Sequence, residues 1–390
     1  MAPRVKLPVD GKTFEHYALK GTPAQRPDVV PSFNRVAYAA AHVVAEPTLS
    51  RDPHGPAVID WDTTMAFRRH LWAHGFGVAE AMDTAQRGLG LDWEGAQELI
   101  RRSIAEAKGI DGADLICGVG TDHLNPDEAV SLDDVISAYS TQFEFVEKYG
   151  GRAVMMASRM LARVAVTSDD YRAVYGRVLR QAQQKTVLHW LGEAFDPHLC
   201  GYWGGRSFEQ SLEVVLSIVR DNRSKVDGIK ISLLEKSKEI ALREQLPDGV
   251  VCFTGDDFNY AEMLEDDGVG RHSDALLGIF DAIAPQASRA LSRLAAGDAK
   301  DFRRIIGPTV PLSRKIFEAP TRFYKAGIVF LAWLNGHQSH FIMPAGLQSA
   351  RGVLHYCEIF RLADQANLFD DPSLAVARMQ YFLHCAGVDQ

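Results

Sequence analysis

Residues 224–236 read SKVDGIKISLLEK, and the lysine at their centre decides how the rest of the chain is read. Lys230 lies between Ile229 and Ile231, with Gly228 and Ser232 one step further out. Side chains alternate along a strand, so the isoleucines share one face while Gly228, Lys230 and Ser232 share the other. Charged residues are almost never fully buried without a partner or a purpose. The competing reading moves the strand by one residue, which sends every side chain to the opposite face and lets the amine snorkel into water.

Working outward, seven further runs resemble this one: RVAYAAAHVV (35–44), GFGVAEAM (75–82), DLICGVG (114–120), GRAVMMAS (151–158), KTVLHW (185–190), GVVCFTG (249–255) and ALLGIF (275–280). They are short and continuously apolar, as strands covered on both faces of a parallel sheet are. Helical periodicity fills the gaps. In 132–148 the apolar set Val135, Tyr139, Phe143, Val146 recurs at three- and four-residue spacing. In 168–184, Ser168 is placed to cap a helix whose stripe is Tyr171, Val174, Val178 and Leu179. Ser207 and Gln210 have capping-box spacing ahead of the stripe Phe208, Leu212, Val215, Leu216 and Val219. Eight strand–helix repeats predict a (β/α)8 TIM barrel over residues 36–285, in the α/β class. A dinucleotide-binding sheet loses support because no GxGxxG turn follows the first strand. After Pro285 only helical patterns remain, giving a helical C-terminal domain over 286–390. Residues 1–35, with Pro3, Pro8, Pro23, Pro27 and Pro31, read as an extended N-terminal arm that wraps a partner subunit or covers the barrel floor.

The 390 residues are 46% hydrophobic and 24% charged, with a net charge of −8. No lysine- or arginine-dense block supplies a footprint for nucleic acid or an anionic membrane surface. The N-terminal residues lack the apolar core of a signal peptide, and AGIVFLAWL (326–334) is too short to span a bilayer. A soluble, cytoplasmic protein is expected. The five cysteines form no CxxC pair, so they read as reduced core or surface thiols and no finger-type zinc site is indicated.

In a barrel of this kind, Ile229 and Ile231 face the helices and Lys230 faces inward near the C-terminal end of its strand, where barrel enzymes build their sites. Desolvation there lowers an amine pKa, and the neutral amine can attack a carbonyl to form a Schiff base. The stretch VDGIKISLLEKSKEIALREQLPDGVVCFTGDD (226–257) resembles the lysine strand, next helix and next strand of the dihydrodipicolinate synthase and N-acetylneuraminate lyase superfamily. The similarity extends to PAVIDWDTTMAFRRHLWAHGFGV, GVGTD, ALLGIFDAIAP and FYKAGIVFLAWLNG, covering roughly residues 36–345. It implies a class I, Schiff-base lyase or aldolase with Lys230 as the imine-forming residue and no cofactor. Such barrels commonly form dimers or tetramers, so a homo-oligomer is expected.

Departures from that pattern shape the expected site. His189 stands where the family places a proton-relaying tyrosine, and imidazole can do the same work. The family's Gly-Thr-Thr-Gly-Glu turn, which holds the carboxylate of pyruvate, is replaced by AMDTAQRG (81–88). There Thr84 is retained and Arg87 is a candidate anion clamp, while Asp83 would repel an anion. Ser158 and Arg159 replace the family's tyrosines after the fourth strand. Asp256 and Asp257 follow the seventh, where the resemblance implies contact with sugar hydroxyls at Asp257. The expected substrate is a small keto compound, with a sugar-derived one favoured. Two alternatives are a metal-dependent isomerase or epimerase using Glu46, His123, His189, Glu193 and His198, and a non-catalytic binding protein on an enzyme scaffold.

Overall fold

The computed structural model describes residues 2–23, 29–49, 52–128, 130–268 and 270–388. Two strands near the N-terminus, β1 (Arg4–Pro8) and β2 (Phe14–Ala18), pair antiparallel. The next eight are β3 (Ala37–Ala40), β4 (Gly77–Glu80), β5 (Leu115–Val119), β6 (Arg152–Met155), β7 (Thr186–Leu191), β8 (Val226–Ser232), β9 (Val251–Thr254) and β10 (Asp274–Leu277). These eight run parallel and close into a barrel in chain order, β10 pairing with β3. Each falls on one of the apolar runs read as strands, β7 and β10 overrunning theirs by one residue, and helices alternate with them. The chain is a TIM barrel with a helical extension.

Two sets of apolar side chains follow from the alternation. Tyr38, Ala40, Ala79, Met82, Ile116, Val154, Val187, Phe253 and Leu276 pack together inside the barrel. Ile229 and Ile231 belong instead to the large cluster shared with the helix ring. Gly228 is required by the interior set: a Cβ there would stand 2.7 Å from the Phe253 ring. At the barrel floor the Tyr38 hydroxyl donates to Asp114 at 2.5 Å and accepts from Arg152.

The ring helices form where periodicity placed them. Leu132–Lys148 is a helix, capped by Ser131 and Asp134 in a reciprocal pair. The helix expected to be capped by Ser168 starts at that residue, and the cap lies one position earlier. Thr167 is extended, and its N–H donates to Asp170 at 2.8 Å. Ser207 does cap Phe208–Asp221, accepting from the Gln210 N–H at 3.3 Å. The Gln210 side chain takes the Arg206 N–H rather than that of Ser207, so the reciprocal box is not completed.

The helix Ile279–Ala295 carries Pro285 inside it and kinks at Ile283. It therefore runs through the expected 285–286 boundary, serving both as the last barrel helix and as the first of the extension. The helices Ala299–Ile306, Thr309–Ile316, Lys325–Leu334, Val353–Gln365 and Pro372–Cys385 follow. Within the expected N-terminal arm, residues 4–18 form a hairpin rather than a continuous extended segment. Val5 and Leu7 are buried while Arg4 is exposed, and β1 and β2 dock on the C-terminal helices. Tyr17 donates to Asp364 at 2.8 Å, and Arg361 pairs with Glu15 at 2.5 Å. Pro27 lies outside the described residues. Among those described, no helix is long and apolar enough to cross a membrane.

Candidate active site

Register places the central lysine and histidine side by side. His189 on β7 pairs with Lys230 on β8, which pairs with Phe253 on β9. Phe253 and Val187 belong to the interior set, so Lys230 and His189 point inward, two-thirds or more of the way along their strands. Both are buried. Burial pushes the Lys230 amine below its ordinary range, and the carboxyls of Asp83 and Asp257 partly restore it. Burial, followed by the charge of Lys230, holds His189 well below the usual imidazole range, so it is neutral at pH 7. Its Nε2 lies 3.2 Å from Ser232 Oγ, and its Nδ1 is buried without a partner. The Lys230 stem is accommodated by Gly255, where a Cβ would lie 2.7 Å from Lys230 Cε and 2.1 Å from Ser232 Oγ.

Facing this pair is a second group. Ala81, at the end of β4, adopts φ 53°, a left-handed turn unusual for alanine. That turn delivers Asp83 and Thr84. The Tyr324 hydroxyl donates to Asp83 Oδ2 at 2.6 Å and lies 2.7 Å from Thr84 Oγ1. The Tyr324 ring stacks on Phe317 at 4.2 Å. Burial alone would raise Asp83, but the ammonium groups of Lys325 and Lys230 and the Tyr324 hydrogen bond hold it below the ordinary carboxylate range. Lys325 opens a helix whose ten residues are all buried. An ammonium at a helix N-terminus is unfavourable, and burial pushes it down to about 8 despite the charges of Asp83 and Asp196.

Asp257 is buried, and its Oδ1 accepts from the Ile279 N–H at 2.9 Å. Burial pushes this carboxyl up to about 8. Asp256 is committed to its own turn, accepting from the N–H groups of Phe258 and Asn259 and from the Asn259 side chain.

A cavity of about 820 Å3 opens above these groups, with Asp83, His189 and Lys325 among its walls. Arg159 and Ser158 line it too. Arg159 pairs with Asp196 at 2.5 Å. Ser158 caps the short helix Arg159–Val164 and lies 2.6 Å from Thr121 Oγ1. Arg87 also borders the cavity, but its guanidinium is spent: two bonds to Asp122 (2.9 and 2.7 Å), one to Gly118 O (2.6 Å) and one to Gln142 (2.5 Å). It further lies 4.9 Å from the Trp93 ring centroid. Asp256 and Asp257 are not among the cavity walls, nor is Lys230, which sits beside His189 beneath them.

Of the residues weighed as metal ligands, His189 and His198 border the same cavity, while Glu46 and His123 are engaged elsewhere. Glu46 binds the Thr48 N–H at 2.9 Å, and His123 Nδ1 lies 2.8 Å from the Gln142 amide. Among the described residues no three His, Cys, Asp or Glu side chains are grouped so as to hold a metal ion. Sequence reasoning missed Tyr324 and Lys325. The available signal was a lysine heading the wholly apolar KAGIVFLAWL, the same anomaly as a lysine within an apolar strand.

Residues 5–388 match the family model described as "Protein of unknown function (DUF993)". No curated protein matches the sequence. Among solved structures, dihydrodipicolinate synthase from Thermotoga maritima is similar with a TM-score of 0.64 and 12% identity, covering 87% of this chain and 100% of that one. The Aquifex aeolicus dihydrodipicolinate synthase gives 0.63 and 11%, covering 86% and 98%. The 4-hydroxy-tetrahydrodipicolinate synthase of Methylacidiphilum fumariolicum SolV gives 0.59 and 16%, covering 86% and 99%. At these identities the likeness is one of fold.

Proposed function

The chain belongs to this DUF993 family, and we propose that it is a lysine-dependent, class I lyase or aldolase acting on a small carbonyl compound. The observation that carries this is the inward, buried Lys230, its amine pKa lowered, in register with a neutral His189. In the first step the Lys230 Nζ lone pair forms a bond to the carbonyl carbon. The carbonyl oxygen leaves as water, and one added proton remains on the product iminium. His189 then removes the proton from a β-hydroxyl, the bond between the α and β carbons breaks as the β carbon departs as an aldehyde or ketone, and the bond's electron pair enters the iminium to give an enamine.

The cavity suits a compound of sugar-like size and polarity. Hydroxyl contacts fall to Thr121, Ser158, Arg159, Asp196 and His198 on its walls, since Asp256 and Asp257 are engaged with backbone. The test is reductive trapping. Wild type and Lys230→Ala are incubated with aldehydes, ketones, keto sugars and keto acids in the presence of cyanoborohydride, then digested for peptide mass spectrometry. The expected result is a mass increment on the peptide carrying Lys230, absent from the variant. An adduct confined to another lysine overturns the assignment.

A further inference from the structure

Iminium formation places a positive charge on the buried Lys230 nitrogen. A buried charge is tolerated only with a counter-ion. A 2-oxo acid brings its own, because its carboxylate is two bonds from the imine nitrogen. An uncharged aldehyde or ketone brings none, and the protein must provide it.

Asp83 is built for that task. It lies on the cavity wall with His189 and Lys325. Its Oδ2 is fixed by the Tyr324 hydroxyl at 2.6 Å, which is held in turn 2.7 Å from Thr84 Oγ1. Lys230 and Lys325 keep it ionised. Asp257, the other carboxyl coupled to Lys230, is pushed up to about 8 by burial and is largely neutral at pH 7. Three donors that a substrate carboxylate could use, Thr84, Tyr324 and Arg87, are already taken. Thr84 and Tyr324 bind each other and Asp83, and Arg87 serves Asp122, Gln142 and Gly118. A second carboxylate would have to share the Lys325 ammonium with Asp83, and like charges in a desolvated site repel strongly.

Resting on the lysine reading above, we propose that Asp83 is the resident counter-ion of the Lys230 iminium, and that the substrate is an aldehyde or ketone with no carboxylate next to its carbonyl. The step is the one written above: the C–N bond forms, water leaves, and the cation faces Asp83 instead of a substrate anion.

The experiment compares hydroxyacetone with pyruvate. Cyanoborohydride labelling of Lys230 is followed by peptide mass spectrometry, each rate being divided by that of a free lysine peptide with the same compound. Wild type is expected to favour hydroxyacetone by about tenfold or more. In Asp83→Asn the hydroxyacetone rate is expected to fall about tenfold and the preference to narrow or invert. Equal or faster labelling of wild type by pyruvate overturns this inference, needs no variant, and leaves the lysine reading standing. An unchanged preference in Asp83→Asn removes the counter-ion. Labelling of Lys230 by no carbonyl compound removes the lysine reading and this inference together.

Discussion

Replacing Asp257 by asparagine should stabilise the protein, and by an amount that grows with pH. The wild-type carboxyl is buried and pushed up to about 8, against an ordinary value of 3.8. Between those limits the unfolded chain has released the proton and the folded protein still holds it. The unfolded state therefore binds one proton fewer, and wild-type stability falls by about 1.4 kcal/mol for each pH unit. Asparagine carries no such proton, while its Oδ1 can still accept the Ile279 N–H. From pH 5 to pH 7 the advantage of Asp257→Asn should widen by about 3 kcal/mol, levelling off above about pH 8. Guanidinium unfolding followed by tryptophan fluorescence at pH 5, 6, 7 and 8 measures it. A difference between variant and wild type that stays flat across this range would refute the reasoning. It would mean that Asp257 ionises in the folded protein as it does in water.

Gly255→Ala should push a methyl into Lys230 Cε, Ser232 Oγ and the Ile231 carbonyl oxygen, lowering stability by about 1–3 kcal/mol and slowing Lys230 labelling. Unfolding curves and labelling rates that both match wild type would show that residue 255 does not confine the lysine stem. Arg87→Met should lower stability by about 3 kcal/mol, because it strands Asp122 and Gln142 in a partly buried network. Retained stability with weakened binding of an anionic carbonyl compound would restore Arg87 as an anion clamp.

The barrel was legible because strands covered on both faces cannot hide: each is a short apolar run, and eight of them in succession leave few alternatives. The inward facing of Lys230 was legible for a related reason, since alternation fixes facing, whereas its register beside His189 emerges only in the folded barrel. Asp83 was readable only as a charge in the wrong place. What makes it useful is Tyr324, 241 positions away, and no local pattern connects them. Arg87 shows the opposite failure. An arginine near an expected anion site looked available, yet its partners Gln142 and Asp122 come from a helix and a loop that only the folded chain assembles. Asp256 likewise looked like a ligand and proved to be the anchor of its own turn. The N-terminal hairpin did leave a trace. RVKLP alternates polar and apolar residues, but five residues amid prolines gave that period little weight.

That hairpin has a consequence for synthesis. The strand of Val5 and Leu7 packs on helices formed by residues 353–385, and Glu15 and Tyr17 find polar partners there. A ribosome must therefore deliver residues 353–385 before β1 and β2 can settle on those helices. During that interval two apolar side chains stay unsheltered, offered to chaperones or to the hairpins of neighbouring nascent chains. Seating of β1 and β2 would then follow synthesis of those helices, like a clasp fastened late.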